Sequence, residues 1–160
     1  LLTVLIQPAY AANKDLQIDA GKGPNPWTSL DIKDDSSKVR FVVVTDRNGG
    51  NRPGIFADAI KKVVTLDPQF VMSIGDFITG YMDDRVWINN DWEEVARDLD
   101  PLKVPFFYTV GNHDQTNSVL AEEWGKRFGR SYYHFTYKNV LFLVLNSEDG
   151  GKYSCISEAQ

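Results

Sequence analysis

Hard oxygen donors and an imidazole recur in this 160-residue chain directly after short apolar runs. Phe41-Val-Val-Val-Thr leads into Asp46, Phe70-Val-Met-Ser-Ile-Gly into Asp76, and Pro105-Phe-Phe-Tyr-Thr-Val-Gly into Asn112-His113-Asp114. Carboxylate and amide oxygens suit divalent cations, and an imidazole beside them can move a proton near neutral pH. Three such sets, with Gly just before two of them, predict metal-assisted hydrolysis. Taken singly, each has a plainer reading. Asp46 could cap a following helix, Gly75-Asp76 could be a turn, and Asn112-His113-Asp114 could be an Asx-type turn.

The elements that must position these groups follow from the pattern. A short apolar run rich in β-branched and aromatic residues reads as a strand buried on both faces of a parallel sheet. Open α/β sheets place ligands beyond the carboxyl ends of such strands. Strands are expected over about 40–45, 69–74 and 105–110. After the first, Pro53 fits an opening helical turn, and Ile55, Phe56, Ala59, Ile60, Val63 and Val64 recur at helical spacing up to Asp67-Pro68. After the second comes a polar insert, Tyr81 to Asn90. A helix is then expected from an Asp91 cap to about Leu99, burying Trp92, Val95, Ala96 and Leu99. A third helix over Ser118 to Phe128 aligns Leu120, Trp124 and Phe128. Tyr132–Tyr137 and Val140–Leu145 read as a hairpin joined at Lys138-Asn139, with His134 as a sheet residue. The fold class is α/β, a mainly parallel β-α-β portion followed by a β-hairpin.

Bulk properties narrow the class. A 42% hydrophobic, 24% charged composition is that of a globular chain able to bury a core. A net charge of -5 without any Lys/Arg run argues against a nucleic-acid scaffold, although bound cations can still admit a phosphorylated ligand. The single cysteine, Cys155, excludes an internal disulfide and a cysteine-based zinc cluster. Residues 1–11 resemble the end of a secretory signal peptide with Ala9-x-Ala11 as its cleavage site, which implies export; a buried N-terminal strand is the alternative. That apolar run is too short to span a bilayer. Residues 12–38 read as a polar leader or surface arm, and Ser157 as the cap of a helix beginning near the last residue.

The stations Asp46-Arg47-Asn48, Gly75-Asp76 and Gly111-Asn112-His113-Asp114 resemble the first three motifs of the calcineurin-like metallophosphoesterases. The resemblance covers about residues 39–148. It implies a layered metallophosphoesterase-like sandwich, with residues 39–160 forming the N-terminal part of one such domain. It implies two divalent metal ions (Mn, Fe, Zn or Mg). Asp46 would hold the first, Asp76 would bridge both, and Asn112 would offer its amide oxygen to the second. His113 would contact the substrate phosphate and help protonate the leaving oxygen, with Asp114 supporting His113. Two cations about 3.5–4 Å apart can lower the pKa of a bridging water and neutralise phosphoryl oxygens.

The departures are informative. Asn48 stands where the family has His, a weaker donor for a borderline ion and one that favours a harder ion such as Mn or Mg. Arg47 and Arg52 flank this loop, and either could bind a phosphate oxygen or remain a solvated charge. Thr79, with Tyr81 two further on, occupies the place of the ligand tyrosine of purple acid phosphatases, which argues against that subclass. The family's later His ligands have no counterpart, since His113 and His134 are the only histidines. The leading expectation is hydrolysis of a phosphomonoester or phosphodiester by metal-activated water. Alternatives are a catalytically weakened homologue that binds a phosphorylated ligand or protein partner, and a metal-free sugar- or protein-binding module.

Overall fold

The computed structural model describes residues 13–33, 37–50, 52–149 and 155–160. Along them run β1 (Leu16–Ile18), β2 (Phe41–Val44), α1 (Ile55–Thr65), β3 (Phe70–Ser73), α2 (Arg85–Leu99), β4 (Phe106–Phe107), α3 (Ser118–Phe128), β5 (Tyr133–Tyr137) and β6 (Val140–Val144). The segment read as a signal-peptide remnant lies outside the described residues.

Two sheets form. β2, β3 and β4 are parallel in that order, with Phe41 opposite Phe70 and Val71 opposite Phe106. β1, β5 and β6 are antiparallel. Strand side chains alternate between faces, so β3 serves two cores. Val71 faces the helices and packs with Ile60, Trp92, Trp124 and Phe128. Phe70 faces the second sheet, in one cluster with Phe107, Phe135, Tyr137 and Phe142. Phe70 is wholly buried, a burial that stabilises by roughly 2–3 kcal/mol. Edge-to-face contacts at 5.4 to 5.9 Å join it to Phe107, Phe135, Tyr137 and Phe142. The result is a helix layer on a parallel sheet on an antiparallel sheet, the expected α/β sandwich.

Four local expectations are corrected. β2 is not buried on both faces: Phe41 and Val43 are 42% and 48% exposed, because β2 has a neighbour on one side only among the described strands. β4 is short, because Tyr108 N–H turns to the Pro26 carbonyl at 2.8 Å and Thr109 N–H to Ser73 Oγ at 2.8 Å. α2 starts at Arg85, not after Asp91. Asp84 caps it by accepting from Val86 N and Trp87 N, while Asp91 instead accepts the Thr79 N–H at 2.9 Å. The segment before β2 is no surface arm. β1 pairs with β5, Trp27 bridges Phe107, and Ile32 is buried in the inter-sheet core.

α3 and the β5–β6 hairpin follow their sequence signals, whereas α1 begins at Ile55 after Gly54 (φ 83°), so Pro53 lies before the helix rather than in its first turn. Asn117 caps α3 by accepting Leu120 N–H, and Gly129 ends it in left-handed backbone. Lys138 and Asn139, both with positive φ, turn β5 into β6 as a two-residue hairpin demands. Ser157 caps no helix. Gln160 turns back and pairs with the Asn146 backbone in both directions, at 2.9 and 2.8 Å.

Candidate functional site

The parallel ladder runs past the strand ends and sets the three stations side by side. Asp46 N–H donates to the Gly75 carbonyl at 3.2 Å, and Asn48 N–H to the Asp76 carbonyl at 3.0 Å. Asp46 and Asp76 both adopt left-handed backbone, with φ of 48° and 60°, which turns the chain sharply at the moment it leaves the sheet. Gly75 and Gly111 let the β3 and β4 ends touch. A Cβ on Gly75 would strike the Gly111 backbone, and one on Gly111 would strike Asp76. Across this contact His113 N–H donates to Asp76 Oδ1 at 3.0 Å. Asp46, Asp76, Asn112 and His113 thereby meet at one edge of the sheet.

The Asp114 carboxyl does not hydrogen-bond the His113 ring, which the orienting role implied by the resemblance would require. That carboxyl is 1% exposed and points inward, where it accepts four backbone N–H groups. Phe77 and Ile78 donate to Oδ1 at 2.8 and 3.3 Å, Asp76 and Gly111 to Oδ2 at 2.8 and 2.9 Å. Burial pushes this carboxyl up, to about 7, while the four N–H groups pull it down. Asp114 therefore ties the β3 and β4 loops together and is a positioning residue.

The His113 ring is held by the segment after Asp76. Its Nδ1 lies 2.7 Å from the Thr79 carbonyl, an acceptor, so Nδ1 carries the proton and Nε2 is the ring nitrogen left for another partner. The Tyr81 ring stands edge-on to the imidazole at 4.9 Å, and the Tyr81 hydroxyl accepts from Asn112 Nδ2 at 2.7 Å. Thr79 and Tyr81 stood out in the sequence only as a departure from another subclass. Asn146 gave no signal at all. It is fully buried, and its amide donates to Gln115 at 2.8 Å and Ser131 at 3.0 Å, fastening the loop that follows His113.

Arg47 is corrected as a phosphate-binding candidate. It is 9% exposed and turned toward α2, donating to Asp98 at 2.8 Å, to Glu94 at 3.0 Å and to the Phe77 carbonyl. Those two carboxylates raise its pKa against the opposing effect of burial. Arg52 is the exposed arginine of this loop. It lines a cleft of about 200 Å³ with Asp46, Asn48, Gly49 and Gly50. Asn48 is buried and donates its amide hydrogen to the Phe77 carbonyl at 2.8 Å.

The donor set of Asp46, Asp76 and Asn112 is all oxygen, which fits a hard divalent cation. Among the described residues no group of three or more His, Cys, Asp or Glu converges as a metal cluster. These oxygens would supply part of a coordination sphere.

The chain is 34% identical over 101 residues to the human serine/threonine-protein phosphatase CPPED1, covering 58% of this chain and 32% of that protein. The rat protein of the same name is 29% identical over 127 residues, 71% of this chain and 40% of the relative. The mouse protein is 31% identical over 111 residues, 64% and 35%. The chain thus spans between about a third and two-fifths of the length of these curated relatives. No solved structure matches it. The family model for the calcineurin-like phosphoesterases matches residues 39–159, which takes in the ends of β2, β3 and β4 that carry the three stations. By that match and by the three stations at its sheet edge, this chain belongs to the calcineurin-like phosphoesterase family.

Proposed function

We propose that this sheet edge belongs to a metal-dependent phosphoesterase acting on a phosphomonoester or phosphodiester. One observation carries the reading: the stations of Asp46, Asp76 and Asn112-His113 stand side by side at the carboxyl ends of three parallel strands, joined by Asp46 N–H to the Gly75 carbonyl and His113 N–H to Asp76 Oδ1. Asp46 and Asp76 would hold divalent cations, with Asn112 giving an amide oxygen. Bound there, the cations supply charge neutralisation and a water of lowered pKa. Asp76 would serve as the shared carboxylate, its second role being to fix the His113 backbone. With Nδ1–H held by the Thr79 carbonyl, His113 would give the leaving oxygen a proton from Nε2 when the ring carries a proton on both nitrogens. Arg52, exposed and lining the same cleft as Asp46, would be the candidate for a phosphoryl oxygen, since the Arg47 guanidinium is taken up by Glu94 and Asp98.

The test is hydrolysis of an aryl phosphate monoester and diester by the complete protein carrying this sequence, with Mn²⁺ or Mg²⁺ added. His113→Ala should lower turnover by about 10²–10⁴-fold with bound metal nearly unchanged. Asp76→Ala should lose both. Equal metal loss in the two variants would sink these role assignments. A second reading, a weakened homologue that binds a phosphorylated ligand, is favoured by Asn48 standing where the family has His, since an amide oxygen is a weaker donor than imidazole for a borderline ion. Metal-dependent ligand binding without hydrolysis of either ester would select it.

A further inference from the structure

The segment Thr79-Gly80-Tyr81 wraps around His113, and its last residue touches two residues of the third station at once. Thr79 offers its carbonyl to His113 Nδ1 at 2.7 Å. Gly80 lies so close to the His113 carbonyl that a Cβ would collide with it. Tyr81 then sets its ring edge-on to the imidazole at 4.9 Å and its hydroxyl 2.7 Å from Asn112 Nδ2. Tyr81 is 58% exposed and not held by core packing, yet its backbone sits in left-handed space at φ 56°. A bulky residue in that region signals a local constraint.

An asparagine amide has two ends of similar size and opposite character. Only the oxygen can bind a cation. With the phenol oxygen accepting from Nδ2, the nitrogen is turned toward Tyr81 and Oδ1 is left for the sheet edge. The same ring restricts rotation of the imidazole, whose tautomer Thr79 has already set. From these contacts the geometry points to Tyr81 as a positioning residue that clamps both the Asn112 amide and the His113 ring. The assignment rests on the phosphoesterase reading above for what Asn112 binds, and on the contacts alone for how His113 is held.

Two variants separate the two arms in the complete protein. Tyr81→Phe removes only the hydroxyl. Groups that orient a ligand typically contribute 10–100-fold in metal affinity, so Mn²⁺ affinity by calorimetric titration should fall by about 10-fold. Turnover at saturating Mn²⁺ should then stay within about threefold. Tyr81→Leu also removes the ring. It should lower turnover at saturating Mn²⁺ further and abolish the ring-current displacement of the His113 side-chain proton resonances. Unchanged Mn²⁺ affinity in Tyr81→Phe overturns the Asn112 arm. His113 resonances that are the same in wild type and Tyr81→Leu overturn the ring arm. If the wild type takes up no Mn²⁺, the phosphoesterase reading and the Asn112 arm fall together, while the resonance comparison still decides the ring arm.

Discussion

Replacing Asp114 by Asn tests how the loops after β3 and β4 are joined. The change preserves shape and removes one acceptor oxygen. Whichever way the amide lies, two backbone donors lose their partner, either Phe77 and Ile78 or Asp76 and Gly111. The new NH₂ group then faces those two N–H groups. An unsatisfied buried donor costs about 1–3 kcal/mol, so the loss should be about 2–6 kcal/mol. A domain of this size has only about 5–15 kcal/mol of stability. Urea unfolding of wild type and variant at pH 8, above the raised range of this carboxyl, measures it. His113→Gln in parallel is the contrast, since that side chain is not in a core. A loss below about 1 kcal/mol for Asp114→Asn would refute the four-donor account. So would unchanged stability with turnover reduced as strongly as in the His113 variant, because Asp114 would then act on chemistry directly.

Other outcomes follow from the same geometry. Arg47→Met should destabilise by about 2 kcal/mol, between the exposed and buried extremes for ion pairs, and leave KM within about threefold. A large KM increase would return Arg47 to the substrate. Gly111→Ala should push the β3 and β4 ends apart and reduce bound Mn²⁺ together with turnover, read by calorimetry and aryl phosphate hydrolysis. Asn48→His should raise Mn²⁺ or Zn²⁺ affinity, because an imidazole can keep one nitrogen on the Phe77 carbonyl and offer the other to a cation. Unchanged affinity would mean that position 48 faces no metal.

What was legible in the sequence is local. An apolar run closed by Gly-Asp or Gly-Asn-His marks a strand and the group at its tip, and all three stations meet where those runs end. The helices with clean apolar spacing, α1 and α3, were also within reach. What escaped depends on distant partners. Leu16 and Trp27 sit in a stretch rich in Gly, Pro and Asp, and their strand partners, Tyr137 and Phe107, are far along the chain. The start of α2 was hidden because Arg85 to Asn90 is polar apart from Val86, Trp87 and Ile88, and only Ile88 is buried. Asp114 follows His113 directly, which invites a side-chain dyad, yet the loop turns one inward and the other outward. Arg47 looked like an anion binder because charge is visible in a sequence and direction is not.

The left-handed backbone at Asp46 sets folding against function at one residue. Asp46 is exposed and, among the described residues, its side chain has one hydrogen bond, from Thr45, so little packing repays its φ of 48°. Glycine accepts that conformation freely, and relief of about 1 kcal/mol is expected for Asp46→Gly. A library sorted on heat resistance alone would therefore drift toward glycine at this position and discard a metal-competent carboxylate without any sign in expression or melting. Sorting on retained Mn²⁺ as well as melting would keep the aspartate, so the two selections applied to one library should diverge first here.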